Sequence, residues 1–592
     1  MDPSGAEEEE VDEILANSGN DRPKMNARVQ ASVLTKNAET QFGNAFIRGG
    51  QLLGPSVSSY QRTDEDPLII ILGEFGRWQF LITLLLFFFN LPCVFQLMVS
   101  EFEGAFLGDF WCKRPDNLKN VSVEKWKEIS GVHKTTEESG YDPCHLKNLN
   151  YHSLDPENPK TWMIIGPDIS CDNWEYGHTK ESIVSEWQLP CEKISPTSLA
   201  ESMFAIGGCI GSIMTGYYVD RIGRRKLLLI SQGVQAMVSF MTAITPWYSV
   251  YLILRMIQGF VTTGNIFANV ILCQEITGRN WMGLVGASYM YSYPLGYIIV
   301  AVLAQHFEKW RHLHYAVTFL SITLLATWWV MPESPRWLWV QKDIHNLIHL
   351  LEDASHINGH QTLSHDVVHN IKTKGPMLVP DKILRVHLKD LYATPVMKKL
   401  SKTTPFLFFC TYFAYYGIVL RLNGMYTVDV YRTVLFTGIV EFTATSVCLG
   451  LSGRSWINTT TVIFFSSMSA GVLCLFINAL PGMSDGIPYC LVFARFFMSM
   501  TNANLLTCVT ELYPTKMRAL GAGWANMYMN LGLLCTANAA KLVKVREGMP
   551  VFLMGLSGMV AGLLVLFLPP ALWYGIPDIV EQMETPYVII GR

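Results

Sequence analysis

The stretch GYYVDRIGRRK (216–226) sets one acid and four bases in a short turn between two apolar runs. Asp220 beside Arg221, Arg224, Arg225 and Lys226 can form ion pairs at helix ends, where water replaces a broken pair at modest cost. That is the chemistry of a gate. A second feature is a lone acid, Glu441, near the middle of VLFTGIVEFTATSV (434–447). An ionised carboxylate in lipid costs about 3 kcal/mol or more, so such a residue is read as functional by default. Tyrosines cluster as well: Tyr289, Tyr291, Tyr293 and Tyr297 in one segment, Tyr412, Tyr415 and Tyr416 in another. Aromatic faces attract organic ammonium groups by about 0.5–2 kcal/mol each. These residues suit recognition of a small charged solute. No Ser/His/Asp or metal-hydrolase constellation stands out, so an enzyme reading has no support. A Gly-rich turn followed by Lys-Ser/Thr is also missing, which argues against ATP drive within this chain.

The elements that must carry these groups follow from composition. The chain has 592 residues, 50% hydrophobic and 16% charged, against about 25% charged in a soluble domain. Its net charge of −4 gives no sign of a nucleic-acid partner. Charge is nearly absent from runs such as LLLFFFNLPCVFQLMV (84–99), each close to the ~20 residues a helix needs to cross a bilayer. Uninterrupted apolar runs argue for helices, since barrel strands alternate. The expected spans are 78–99, 199–219, 227–245, 250–272, 282–303, 315–331, 403–420, 433–450, 457–478, 488–508, 519–541 and 551–571. The fold class expected is an all-α membrane protein of twelve transmembrane helices. Basic residues at 216–226 and at Lys398, Lys399 and Lys402 put those turns, and both termini, in the cytosol. Residues 1–70 read as a disordered cytosolic tail, 71–340 as a first bundle, 341–402 as a cytosolic linker, 403–575 as a second bundle and 576–592 as a second tail.

The outer loop, 100–198, holds Cys112, Cys144, Cys171 and Cys191. An oxidising compartment favours two disulfides there, with three connectivities open. Asn120-Val121-Ser122 is a glycosylation sequon in the same loop; Asn458-Thr459-Thr460 falls on the cytosolic side and should stay bare. The linker carries His345/His349, His356/His360 and His365/His369, each pair on one helical face. With neither a Cys nor a completing Glu pattern nearby, they are read as surface histidines and no metal site is assigned.

The halves of the chain echo each other. GYYVDRIGRRK closes the second span and GLSGRS (450–455) the eighth. Arg255 and Glu275 bracket the fourth span, with Arg279 beyond; Arg495 and Glu511 bracket the tenth, with Lys516 and Arg518 beyond. Two six-helix pseudo-repeats are the layout of a carrier whose solute lies between the halves near the midplane. The turn Asp220-Arg-Ile-Gly-Arg-Arg resembles the signature turn of the major facilitator superfamily. With LGEFGRWQ (72–79), CDNWEY (171–176), SEWQLPC (185–191), PESPRWL (332–338), YYG (415–417) and ELYPTKMRALGAG (511–523), residues from about 70 to 580 resemble the organic cation, organic anion and carnitine transporter family.

The resemblance implies roles. An acid at the position of Glu441 helps bind cations in that family, and Tyr415 and Tyr416 match a pair that faces substrate. Thr445 stands where anion transporters tend to carry Lys. Asn530 falls where anion and carnitine members carry Arg and cation members Asp. Tyr293 joins the expected solute site. Gating falls to Asp220, Arg224, Arg225, Glu275, Glu333, Arg336, Glu511 and Arg518, with Arg224 and Arg225 reaching Glu275, Glu333 or Glu511. Arg255 and Arg495 are assigned to the gates or the fold. Departures from the family are Gly450 where Asp220 would align, Gly453-Arg454-Ser455 for the second GRR turn, Thr443 for a proline, and no PET-x-G after the last span. The expected function is alternating-access transport of small organic cations or amine-bearing zwitterions across the plasma membrane, with no cofactor. A coupling ion or exchange solute is a possible partner. The alternatives are an organic anion carrier and a carrier-like receptor or scaffold without turnover.

Overall fold

The computed structural model describes residues 67–104, 109–133, 141–151, 162–177, 180–191, 195–359, 368, 388–425, 430–452, 459–479, 487–513, 517–539, 542 and 548–568. Each expected span overlaps helix among the described residues, and two further helices, Pro335–Val340 and Ile344–Asn358, follow the sixth span. In chain order these are α1 (Arg77–Glu103), α2 (Pro196–Ile222), α3 (Arg224–Ile244), α4 (Tyr248–Glu275), α5 (Arg279–Tyr289), α6 (Ser292–His306), α7 (Trp310–Leu325), α8 (Pro335–Val340), α9 (Ile344–Asn358), α10 (Pro395–Met425), α11 (Val430–Ser452), α12 (Thr459–Ala479), α13 (Ile487–Leu512), α14 (Arg518–Ala539) and α15 (Met549–Val565). By length and composition, α1 to α4, α11 and α12 are long and apolar enough to cross a membrane.

Local chemistry sets the ends. Pro196 opens α2 and Pro335 opens α8, positions where the missing N–H costs nothing. The Ser334 hydroxyl accepts from the Trp337 N–H at 3.2 Å and caps α8. The expected fifth span, 282–303, is not one helix: α5 stops at Tyr289 and α6 starts at Ser292. Pro294 gives the reason, because it has no N–H to return to the Met290 carbonyl and sits comfortably only in a first turn.

The segment between α1 and α2 is expected as a loop and is instead a small mixed domain. β1 (Phe110–Cys112) pairs antiparallel with β5 (Trp174–Tyr176), while β2 (Gly131–His133), β3 (Tyr141–Leu149) and β4 (Ile164–Ser170) form a second sheet. Trp111, Leu118, Trp126, Ile129 and Leu149 make its core. Buried Trp126 donates its indole N–H to the Cys112 carbonyl at 2.9 Å. The disulfides are Cys112–Cys171 and Cys144–Cys191, both with Cα atoms 5.8 Å apart. Asn120 is exposed beside the short helix Val123–Ser130.

Among the described residues, glycines bring two helix pairs of the opposite halves close together. A Cβ on Gly523 of α14 would lie 2.6 Å from the Ser212 carbonyl oxygen of α2, and one on Gly216 would lie 2.9 Å from that of Ala519. On α11, Gly438 likewise admits Ile298 of α6. Backbones approach this closely only over small residues. At the disulfide-bearing end, Tyr431 of α11 stacks on Phe102 of α1 with centroids 5.6 Å apart and lies under Lys180 of the inserted domain at 4.3 Å. At the opposite end, α9 carries His345, His349 and His356, and His349 pairs with Asp353 on the surface at 3.1 Å. His360, His365 and His369 lie outside the described residues, as do residues 1–66 and 569–592 and the sequon at Asn458.

Candidate solute site and gate

Glu441 lies halfway along α11 and is buried. It is not a lone charge. Arg495 of α13 donates to one carboxylate oxygen at 2.5 Å and the Tyr415 hydroxyl donates to the other at 2.6 Å. Arg495 also donates to the Tyr415 hydroxyl at 2.9 Å, and its guanidinium stacks 3.9 Å from the Tyr415 ring centre. From α6, the Tyr297 hydroxyl stands 3.3 Å from that of Tyr415. So α6, α10, α11 and α13 converge on one buried, charge-balanced knot with a residue from each half of the chain. Desolvation makes such a pair worthwhile only with this many added bonds.

Aromatic rings extend the knot. Tyr416 lies 5.2 Å from Tyr415 and 5.9 Å from Tyr412, centre to centre. Tyr293 is half-buried against the same cluster. At the break between α5 and α6, Tyr291 donates to Ser446 of α11 at 2.9 Å and packs on Phe442 at 5.0 Å. The Thr445 hydroxyl bonds the Glu441 carbonyl at 2.9 Å and so serves its own helix. Some polar atoms here are buried without a hydrogen-bond partner among the described residues: the Tyr289 hydroxyl and Arg495 Nε. Asn530 is elsewhere. It is buried on α14, donates to Ser212 of α2 at 3.3 Å and to the Asn526 carbonyl at 3.0 Å, and belongs to the seam between the halves.

Arg495 is the residue sequence reading misplaced. It is the ninth residue of α13, well inside the helix, and pairs with Glu441 instead of serving a helix-end gate. The signal was present: an arginine inside the apolar run CLVFARFFMSM (490–500) needs a buried acid, and Glu441 is available. Arg255 repeats the pattern on α4. It donates to the Gln96 carbonyl at 2.9 Å and acts electrostatically on Glu103 and Glu201.

The basic turn forms a second knot, mostly within the first half. Arg224 binds Glu275 of α4 through Nε and Nη2, both at 2.9 Å, and Asp220 at 2.8 Å. Glu333 caps α3, accepting from the Arg224 N–H at 2.9 Å and the Arg225 N–H at 3.1 Å. Burial raises the Glu333 carboxyl above its ordinary range, and the backbone N–H groups pull it partly back. The Trp337 indole donates to the Asp220 carbonyl at 2.8 Å. PESPRWL and the basic turn are therefore one structure. The Arg225 side chain reaches the Trp328 carbonyl at 2.9 Å and, among the described residues, no acid. Arg336 is buried on α8. Arg518, which opens α14, is the second-half group that acts electrostatically on both Asp220 and Glu275. Glu511 falls in the last turn of α13, and its side chain lies outside the described residues.

The model of the Major Facilitator Superfamily matches residues 193–537, more than half of the chain. Mouse solute carrier family 22 member 3 is 26% identical over 531 residues, which cover 86% of this chain and 94% of that protein. The human member 2 is 29% identical over 437 residues, 73% of this chain and 76% of the relative. The human member 13 is 26% identical over 536 residues, 87% and 92%. Among solved structures, the proton:xylose symporter XylE bound to 6-bromo-6-deoxy-D-glucose superposes with a TM-score of 0.55 at 14% identity, covering 82% of this chain and 94% of that one. At that identity the likeness speaks for the fold alone. The helical architecture, the match over both halves and the solute carrier relatives agree: the chain belongs to the Major Facilitator Superfamily, fits its organic cation, organic anion and carnitine transporter family, and is a multi-pass membrane transporter of solutes, not an enzyme.

Proposed function

We propose that the chain carries small organic cations or amine-bearing zwitterions by alternating access at the plasma membrane, with both termini cytosolic and the disulfide-bonded domain outside. The observation that supports this is the Glu441–Arg495–Tyr415 knot, buried among tyrosines contributed by both halves. An incoming ammonium group competes with Arg495 for the Glu441 carboxylate and gains the faces of Tyr415 and Tyr416. For a zwitterion, the arginine released from Glu441 becomes the partner of the solute's own acid. With a zwitterion this exchange keeps every buried charge compensated; with a plain cation it leaves one net positive charge, which the tyrosine faces attract. The Tyr289 hydroxyl offers a further hydrogen bond.

A specific observation also favours a second reading, an organic anion as solute: the permanently charged Arg495 is as deeply buried as its acid. Uptake of labelled tetraethylammonium and of a labelled dicarboxylate into proteoliposomes separates the two. Saturable cation uptake that is lost in correctly assembled Glu441→Gln is the expected result. Uptake of the dicarboxylate alone, or cation uptake indifferent to Glu441→Gln, would sink the cation reading.

A further inference from the structure

A second set of buried ionisable groups lies far from Glu441, at the disulfide-bearing end of the first half. Glu103 ends α1 and is fully buried. His314, in the second turn of α7 and 1% exposed, pairs through Nε2 with its Oε1. The Tyr251 hydroxyl of α4 donates to the other oxygen at 2.8 Å. Arg255, one turn further along α4, acts electrostatically on Glu103. Nearby, Glu201 of α2 shares a hydrogen bond with Glu101 of α1 and also feels Arg255. Two carboxyl groups can bond each other only through a proton. The groups come from four helices, and all lie within about two turns of the same helix ends.

Other polar groups beside the cluster bond elsewhere. Tyr248 bonds the Pro196 carbonyl at 3.2 Å. Arg311 turns away to Glu186 of the inserted domain. From α3, Ser239 meets Thr318 of α7 at 2.7 Å and brings no charge. The set thus places the His314 imidazole against Glu103 and, beside it, a proton held between the partly exposed Glu101 and Glu201.

The inserted domain covers this cluster. Its short helix Ile183–Glu186 buries Ile183 and Val184 against Ala200, Tyr251 and Trp310. Trp187 sits 5.3 Å from Tyr251 and 5.4 Å from Trp310, centre to centre, and the Trp310 indole donates to Glu186 at 2.7 Å. The motif SEWQLPC thus supplies a cover for it. We propose that Glu103, His314, Tyr251, Arg255 and the Glu101–Glu201 pair form a proton-binding site of the carrier, closed from solvent by the Glu186–Trp187 lid. The ligand is the proton itself, and the site is independent of which solute Glu441 meets.

The test needs no solute. The full chain, reconstituted in liposomes on a solid-supported membrane, is given a pH jump from about 8 to about 6. The expected result is a transient charge displacement that is lost in His314→Gln and in Glu103→Gln. His314→Arg keeps a fixed positive charge beside Glu103, so it should assemble with an unchanged thermal midpoint and still be silent. Trp187→Ala should keep the displacement and make it faster. No displacement in the wild type, or one that persists in assembled His314→Arg, overturns the site; unchanged kinetics in Trp187→Ala overturns the lid.

Discussion

A buried carboxylate and a buried guanidinium tolerate each other's presence far better than each other's absence. Removing one member of such a pair costs about 3–5 kcal/mol, while replacing both by apolar groups of similar volume is often neutral. Arg495→Met should therefore lower the thermal midpoint of the purified protein steeply, and Arg495→Met with Glu441→Leu should recover most of it. A double variant as unstable as the single one would mean that Arg495 holds the helices by packing instead. Tyr415→Phe should keep the fold, since ring and pair remain, but weaken cation uptake through a higher KM. At this scale the acid and the tyrosines were legible, because an ionisable residue in an apolar run declares itself. Arg495 declared itself in the same way; its pairing with Glu441 did not, since which helix faces meet is reported by no spacing in the sequence. Asn530 shows the same limit from the other side: its type was readable, but its place in the seam with Ser212 required the packing.

Single glycines decide how two of the elements meet. Gly223, between α2 and α3, has φ +99° and ψ 153°, a region nearly reserved for glycine and costing other residues about 1–3 kcal/mol. A Cβ there would also stand 2.6 Å from Glu333 Oε2. Gly223→Ala should dislodge the Glu333 cap and lower the midpoint more than Glu333→Gln alone. Gly523, facing the Ser212 carbonyl, governs how closely α14 approaches α2. Gly523→Val should part them, seen as faster maleimide labelling of Cys209, whose thiol bonds the Met527 carbonyl in that seam at 3.5 Å. Unchanged labelling would show that the seam relaxes around the added carbons. The places of the helices were legible because apolar length is a strong signal, although α10 starts eight residues before the expected 403. The break before α6 was missed although Pro294 announces it, because continuous hydrophobicity hid the missing donor.

At the scale of the whole molecule, the inserted domain is held by its disulfides and packed on the ends of α4 and α7. Opening a disulfide of this kind costs about 2–4 kcal/mol. Cys112→Ser with Cys171→Ser should leave the helices assembled and expose the insert to limited proteolysis. A protease-resistant insert in that variant would mean the Trp111–Trp126 core suffices. The cysteines announced two bridges; their pairing depended on strands that the segment's polar, weakly alternating sequence did not reveal.

The mutual cancellation of Glu441 and Arg495 has an electrical consequence. An empty carrier exposes no net charge at its centre to the transmembrane field. One bearing a monovalent cation exposes a single elementary charge, worth about 2.3 kcal/mol per 100 mV across the full field. Voltage would then act on the loaded journey and spare the empty return, so a negative resting potential would favour accumulation without any change in the protein.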